Sequence, residues 1–198
     1  DITGATTLNN DLTVAGTTTL DNTAVGINAL SSITSGDYNT VVGKAAGGAI
    51  TDAVQNTIVG ATAGDALTSG SRNVAVGAFA LSTEDGHGHN VAVGASALSV
   101  QNAGADAYNV AVGSQAGAAV TTGVKNTLIG GLAGDATTTG NSNSSLGYNS
   151  LGANTTGASL VAVGSQALAS HTTANSCVAV GFNALNANTT GAITLNGT

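Results

Sequence analysis

The sequence predicts an all-β fold in which the chain winds into a parallel β-solenoid. The first observation behind this prediction is an internal repeat: a short segment, most often beginning with Asn, occurs ten times from residue 22 to about residue 193. The spacing is 17 residues, apart from one interval of 19. The second observation is a glycine at the fifth position of every copy. The third is composition: 42% of residues are hydrophobic, mostly Ala and Val, and only 3% are aromatic, which favours a thin core over a wide one.

Two columns of identical residues define the repeat. Position one is Asn in the first eight copies and position five is Gly in all ten. The asparagines are Asn22, Asn39, Asn56, Asn73, Asn90, Asn109, Asn126 and Asn143. The glycines are Gly26, Gly43, Gly60, Gly77, Gly94, Gly113, Gly130, Gly147, Gly164 and Gly181. We predict structural roles for both columns: stacked Asn side chains hydrogen-bond from coil to coil, and Gly permits a positive φ or a close backbone approach.

A helical repeat is excluded by the period and by the glycines. Seventeen residues correspond to about 4.7 helical turns, so equivalent positions would drift around a helix. Each interior glycine would also cost a helix about 1 kcal/mol. The β interpretation fits better, because positions two and four place Thr, Val or other aliphatic residues on one face of a short strand. We expect a second short strand at position eight, and ten coils in all.

The small residues of the repeat predict self-assembly. We expect Val, Ala, Thr and Leu to fill the interior, which leaves a single solenoid marginally stable. Position eight is Ala in nine copies, and position nine is only Leu or Gly. These two positions suggest a surface for close approach by another chain. We therefore predict a homotrimer, with two further copies of the chain and other fibre segments as partners.

The domain boundaries follow the repeat. Residues 1–21 have their own 12-residue period and are predicted to form a short β neck or linker. Residues 22–193 form the solenoid, and residues 194–198 begin a further coil or a junction.

The repeat resembles two known families. Segments such as 74–77 and 91–94, both Val-Ala-Val-Gly, resemble the head repeats of trimeric autotransporter adhesins. That resemblance implies a left-handed parallel β-roll assembled as a trimer. Residues 22–30, Asn-Thr-Ala-Val-Gly-Ile-Asn-Ala-Leu, are similar to a repeat in tail fibres and appendages of marine phages, notably cyanophages. The neck sequence 12–20 is similar to linkers in phage fibre proteins.

One segment has the composition of a ligand site. Glu84-Asp85-Gly86-His87-Gly88-His89 contains a His-x-His pattern, which resembles ion-binding motifs of some phage fibres and spikes. In a trimer, three copies of His87 and His89 could surround an ion on the axis. The alternative is a solvated loop, because the segment lies in the variable part of the repeat, which we expect to face solvent.

Exposed side chains of the irregular segments are candidate surface contacts. Tyr rings can stack on sugars through their apolar face and polar tip, so a host-surface glycan or protein is a candidate partner. The two-residue insertion around 105–108 marks a loop on one face. The candidates are Glu84, Asp85, His87, His89, Asp106, Tyr108, Tyr38 and Tyr148.

Several function classes are disfavoured. A net charge of −7 with three Lys and Arg residues cannot neutralise a phosphate backbone, so nucleic-acid binding is not expected. No apolar run approaches the roughly 20 residues of a membrane span. No catalytic constellation and no cofactor motif is present in the sequence, so we do not expect an enzyme. Cys177 replaces the column Asn and is expected to be a buried small residue.

The sequence therefore predicts a structural fibre segment of a virion, a phage tail fibre or related appendage that supports host attachment. The alternative is the head module of a bacterial surface adhesin, located at the cell surface. An ice-binding solenoid is a third hypothesis, because Thr is plentiful.

Overall fold

The computed structural model describes residues 21–189 and shows one parallel sheet of ten three-residue strands in chain order. The strands are β1 Thr23–Val25, β2 Thr40–Val42, β3 Thr57–Val59, β4 Val74–Val76, β5 Val91–Val93, β6 Val110–Val112, β7 Thr127–Ile129, β8 Ser144–Leu146, β9 Val161–Val163 and β10 Val178–Val180. Each strand pairs with its sequence neighbours, and equivalent repeat positions are opposite each other. This is an all-β parallel solenoid of about nine coils within residues 21–189, which confirms the predicted all-β solenoid class.

The coils are numbered 1 to 10 by the repeat copy that opens each one. We call positions ten to seventeen of each coil its return segment, because they lead the chain back to the next strand. The tenth return segment, the predicted neck and residues 194–198 lie wholly or partly outside the described residues. Within residues 21–189 no helix occurs, and hence none that could cross a membrane.

The strands bury their central residue and turn its neighbours outward. In β4, Ala75 is fully buried, whereas Val74 and Val76 are partly exposed. The same pattern holds in all ten strands, with position three inside and positions two and four outside. Most Val and Thr residues of the strands therefore lie outside the core that the sequence predicted them to help fill. Small or aliphatic residues at position three line the core instead.

The core is completed by the turn that follows each strand. In coil 4, Ala80 at position eight and Leu81 at position nine are fully buried. The predicted docking surface at positions eight and nine is therefore wrong, since the chain covers both positions itself. The predicted second strand is also absent from residues 21–189, because positions seven and nine adopt positive φ angles, for example 59° at Phe79 and 51° at Leu81. These turns still hydrogen-bond from coil to coil, as from Leu81 N to the carbonyl of Ala97.

The position-five glycines are required by backbone geometry. Gly94 has a φ of 136°, a region that side chains rarely adopt. A Cβ on Gly94 would lie 2.5 Å from the carbonyl carbon of Gly113 in the next coil. The sequence predicted either a positive φ or a close approach for this column, and Gly94 has both.

The asparagine column forms a hydrogen-bonded ladder inside the solenoid. The Oδ1 atom of Asn39 accepts hydrogen bonds from the backbone N and the Nδ2 of Asn56, both at 3.0 Å. Asn56 Nδ2 also donates to the carbonyl of Gly70, which fixes the return segment of its own coil. Asn39 to Asn143 are all buried, whereas Asn22 in the first coil is half-buried. The ladder ends where Leu160 N donates to Asn143 Oδ1, and Cys177 takes the same position as a buried free thiol.

Candidate functional site

Two irregular return segments lie side by side and form the candidate site. Residues 84–89 occupy positions twelve to seventeen of coil 4, and the insertion lies in the return segment of coil 5. Parallel stacking places the second segment directly against the first, and side chains from both are in contact. We call this group the coil 4–5 cluster; its members are Glu84, Asp85, His87, His89, Asp106 and Tyr108.

Glu84 is buried in the solenoid interior. Its side chain is 0% exposed, so the prediction that Glu84 is a surface contact is wrong. Position twelve points inward, next to the space that position nine fills. Oε1 of Glu84 accepts a hydrogen bond from the backbone N of His87 at 3.1 Å. Oε2 is also buried and has no hydrogen-bond partner.

His87 lies over the buried carboxylate. Its Nδ1 is 3.1 Å from Oε1 of Glu84 and 4.0 Å from Oδ1 of Asp85, whose side chain is 56% exposed. The carbonyl of His87 accepts from Asn73 Nδ2, so the asparagine ladder holds the backbone of this segment in place. The chain thereby presents one imidazole nitrogen and two carboxylates in one place.

His89 belongs to a different set of contacts. Its ring stacks on Tyr108 with centroids 4.8 Å apart and planes inclined by 18°. Its Nε2 is 3.7 Å from Oδ2 of Asp106, whose Oδ1 accepts from Gly88 N at 2.9 Å. His87 and His89 therefore have separate partners within one chain. Neither residue is on the strands, and the axial His-x-His ion site stays a prediction.

The electrostatics of the cluster are dominated by carboxylates. Burial raises the pKa of Glu84, and the hydrogen bonds from His87 only partly offset this effect. Within residues 21–189, every ion pair joins a histidine to an acid, and none involves Lys or Arg. Arg72, in the adjacent coil 3, donates instead to Gln55. No fixed positive charge therefore compensates this group.

The remaining tyrosines lie away from the cluster. Tyr38 is 59% exposed in coil 1, four coils from Tyr108, or about 19 Å at about 4.8 Å per coil. Tyr148 is 56% exposed at position six of coil 8, on a different edge of the coil. The three rings do not form one aromatic surface.

A row of buried polar residues was missed by sequence reasoning. Position twelve carries Gln101, Asn154 and His171, all fully buried. Both ring nitrogens of His171 lack a hydrogen-bond partner, and burial lowers its pKa. The sequence did contain a signal, because these three copies have Leu at position nine, whereas the copies with Gly at position nine have Ile, Leu, Val or Thr at position twelve.

An open groove of about 590 Å³ lies on coils 5 to 7. It is lined by Val100, Gln115, Ala118, Ala119, Thr121 and Asp135. Burial raises the pKa of Asp135 and that of Asp65, its equivalent in coil 3. Asp135 is the one acidic residue among these six lining residues. The six residues do not form the nucleophile–base pair of a catalytic site.

Comparison with models of known protein families, with curated proteins and with solved structures finds no match to this chain.

Proposed function

We propose that the chain is a structural fibre segment of a virion, such as a phage tail fibre or related appendage, that assembles as a homotrimer and supports host attachment. The observation that carries this proposal is a long uncharged face made by positions two and four of all ten strands. Position four is aliphatic in every strand, and position two is Val in five. Val59, Leu146 and Val180 are 36%, 51% and 69% exposed.

A continuous row of exposed aliphatic side chains, as at position four, is typical of an interaction surface. It extends over nine coil steps, or about 43 Å at about 4.8 Å per step. Only a partner whose coils have the same rise per step can keep its side chains aligned with those of positions two and four over that length. Another copy of this chain satisfies the condition, and the absence of charge on the face disfavours charged partners.

A cyclic axis parallel to the rod keeps all copies pointing in one direction, as a fibre requires. The resemblance to trimeric adhesin heads favours three copies and a left-handed coil. In this arrangement the strand faces meet at the axis. The return segments, including the coil 4–5 cluster, lie outside, where three copies of a weak contact gain avidity.

Assembly can be tested on the strand face. Sedimentation and native mass measurement of the wild-type chain should give a trimer at micromolar concentration. The double variant Val76→Asp/Val93→Asp places three negative pairs at the axis, and we expect monomers. Thr122→Asp is a matched control on an exposed return segment and should remain trimeric. A wild-type chain that is folded and monomeric contradicts the assembly proposal.

Whether the chain is located on a virion or on a bacterial cell is tested separately. Antibody labelling of intact particles should place the chain on a virion tail or appendage. Labelling of a bacterial cell surface would support the alternative, the head of a surface adhesin. Genes for capsid and tail proteins beside the coding sequence would support the virion, whereas a chain ending in a membrane-anchoring barrel would support the adhesin.

Ice binding is a second candidate, favoured by one observation. Thr23, Thr40 and Thr57 form a regular outward column in three successive strands, each two residues from a Val. The column does not continue, because Val replaces Thr in β4, β5 and β6. A thermal-hysteresis assay on the purified chain distinguishes this candidate from a fibre segment, for which we expect no activity.

A further inference from the structure

We propose that Glu84, Asp85 and His87 form a binding site for a divalent transition-metal ion, with Zn²⁺ as the best fit, inside a single chain. One ligand atom from each residue lies within 4.8 Å of the other two. The site is distinct from an axial His-x-His site, because it uses one histidine and does not require a second chain.

The ligand types and spacing suit such an ion. Imidazole nitrogen and carboxylate oxygen are both Zn²⁺ ligands, with bond lengths of about 2.0–2.2 Å. Tetrahedral coordination at about 2.0–2.1 Å separates ligand atoms by about 3.3 Å. His87 Nδ1 and Glu84 Oε1 are already 3.1 Å apart. Asp85 Oδ1, at 4.0 Å from the same nitrogen, belongs to an exposed side chain that can rotate inward. Water can supply the fourth ligand from the open side.

An independent observation points to a missing cation. Glu84 is fully buried, and its Oε2 has no hydrogen-bond partner. A buried carboxylate without a compensating charge is costly. No Lys or Arg among the described residues forms an ion pair with it. A metal ion bound through Oε1 would supply the positive charge that this buried carboxylate lacks.

Metal binding changes the protonation of His87 and one hydrogen bond of the site. His87 must coordinate through unprotonated Nδ1, so any proton on that nitrogen moves to Nε2 or to solvent. The Nδ1–Glu84 hydrogen bond is replaced by bonds from both groups to the metal. The backbone N of His87 continues to donate to Oε1 of Glu84 and orients the carboxylate.

The test is calorimetric titration of the 198-residue chain with ZnCl₂ in metal-free buffer, followed by the same titration with CoCl₂. We expect one ion per chain with micromolar affinity, and a higher thermal midpoint with Zn²⁺. Glu84→Gln should weaken binding at least tenfold; it keeps the fold because Gln101 occupies the same position in coil 5. Asp85→Asn, on an exposed side chain, should also weaken binding without any effect on folding.

His89→Asn is the matched control. It changes a histidine two residues away that pairs with Asp106 instead of with Glu84. We expect its Zn²⁺ affinity to equal that of the wild type. Absence of binding by the wild type at millimolar Zn²⁺ overturns the proposal. An equal loss in His89→Asn also overturns it, since the metal would then bind the His-x-His pair.

Discussion

In the interior of coil 3, the side chain of Leu67 at position twelve occupies the space next to Gly64 at position nine. A Cβ on Gly64 would lie 2.9 Å from Cδ1 of Leu67. Gly47 and Ile50 repeat this relationship in coil 2, with a distance of 3.0 Å. In coil 8 the order is reversed: Leu151 fills the space from position nine, and Asn154 occupies position twelve. In coils 2, 3 and 8 the aliphatic side chain of this region therefore comes from only one of the two positions.

This arrangement predicts a compensating pair. Gly64→Leu alone should overpack coil 3 and destabilise the protein by about 1–3 kcal/mol. The double variant Gly64→Leu/Leu67→Asn copies coil 8 and should recover much of that loss, with a coupling energy of about 1–2 kcal/mol. Thermal unfolding followed by circular dichroism measures all three variants and the wild type. If the two changes simply add, the residues do not share a site.

The position-five glycines predict a difference in stability between two Gly→Ala variants. Gly94→Ala combines a φ of 136° with overlap against the Gly113 carbonyl, whereas Gly104→Ala has a φ of 70° and no atom within 4 Å of its Cβ. We expect Gly94→Ala to cost well over the ~1–3 kcal/mol of backbone strain alone, and Gly104→Ala to remain within that range. Gly94→Val should be at least as damaging as Gly94→Ala. Equal thermal midpoints for Gly94→Ala and Gly104→Ala would contradict the coil register.

His171 predicts a pH dependence of stability. Its pKa is lowered in the folded state by burial, so the unfolded chain binds the proton more readily. The stability that neutral His171 contributes is present above its unfolded pKa of about 6.5 and is lost as the pH falls below that value, by at most about 1.4 kcal/mol per pH unit.

His171→Asn should remove this contribution, because Asn154 occupies the same position in coil 8. The quantity to measure is the difference in thermal midpoint between variant and wild type from pH 7.5 to 5.0. Taking the difference matters, because Asp65 and Asp135 have raised pKa values, which stabilise the folded state as the pH falls. A difference that does not change with pH excludes His171 as the titrating group.

A graft tests where recognition lies, on the proposal that the chain supports attachment. Replacing the six residues 84–89 by the sequence of residues 154–159 removes the cluster in coil 4, and the same six residues can replace 101–108. Coil 8 is the correct donor because it has Leu at position nine, as coils 4 and 5 do. The grafted chain should fold and assemble as the wild type does.

Particles carrying the grafted chain should attach to the host more weakly. Unchanged attachment would show that recognition lies elsewhere in the particle. A graft from coil 3 is a stability comparison, because it would add Leu at position twelve beside Leu81 and Leu98, and we expect a lower thermal midpoint than with the coil 8 graft.

The sequence predicted the strands well because period and glycines constrain the backbone directly. Gly94 and its equivalents are glycine in all ten copies, so the column is visible without a structure. Alternation around Ala75 showed which residues share a face but not which face is inside. A strand of three residues with small or aliphatic side chains on both faces offers little contrast in hydrophobicity.

The site was harder to predict because side-chain direction depends on the turns. Glu84 is polar and lies in a variable segment, which suggests exposure. The positive φ angles at Phe79 and Leu81 reshape the coil so that position twelve points inward. The contact of Asp106 with Gly88 likewise depends on coil stacking across 18 residues. The sequence of either segment alone does not predict a contact between adjacent coils.

The strands beside the insertion have a practical consequence. Val91 pairs with Val110 although coil 5 has 19 residues, so the two extra residues are absorbed wholly in the return segment. A Cβ on Gly104, at the insertion, would meet no other atom within 4 Å. The solenoid therefore has a strand side of constant spacing and a return side that accepts two extra residues in coil 5. We expect a foreign peptide inserted between Gly104 and Ala105 to be displayed at one fixed height along the solenoid, without a change in strand pairing.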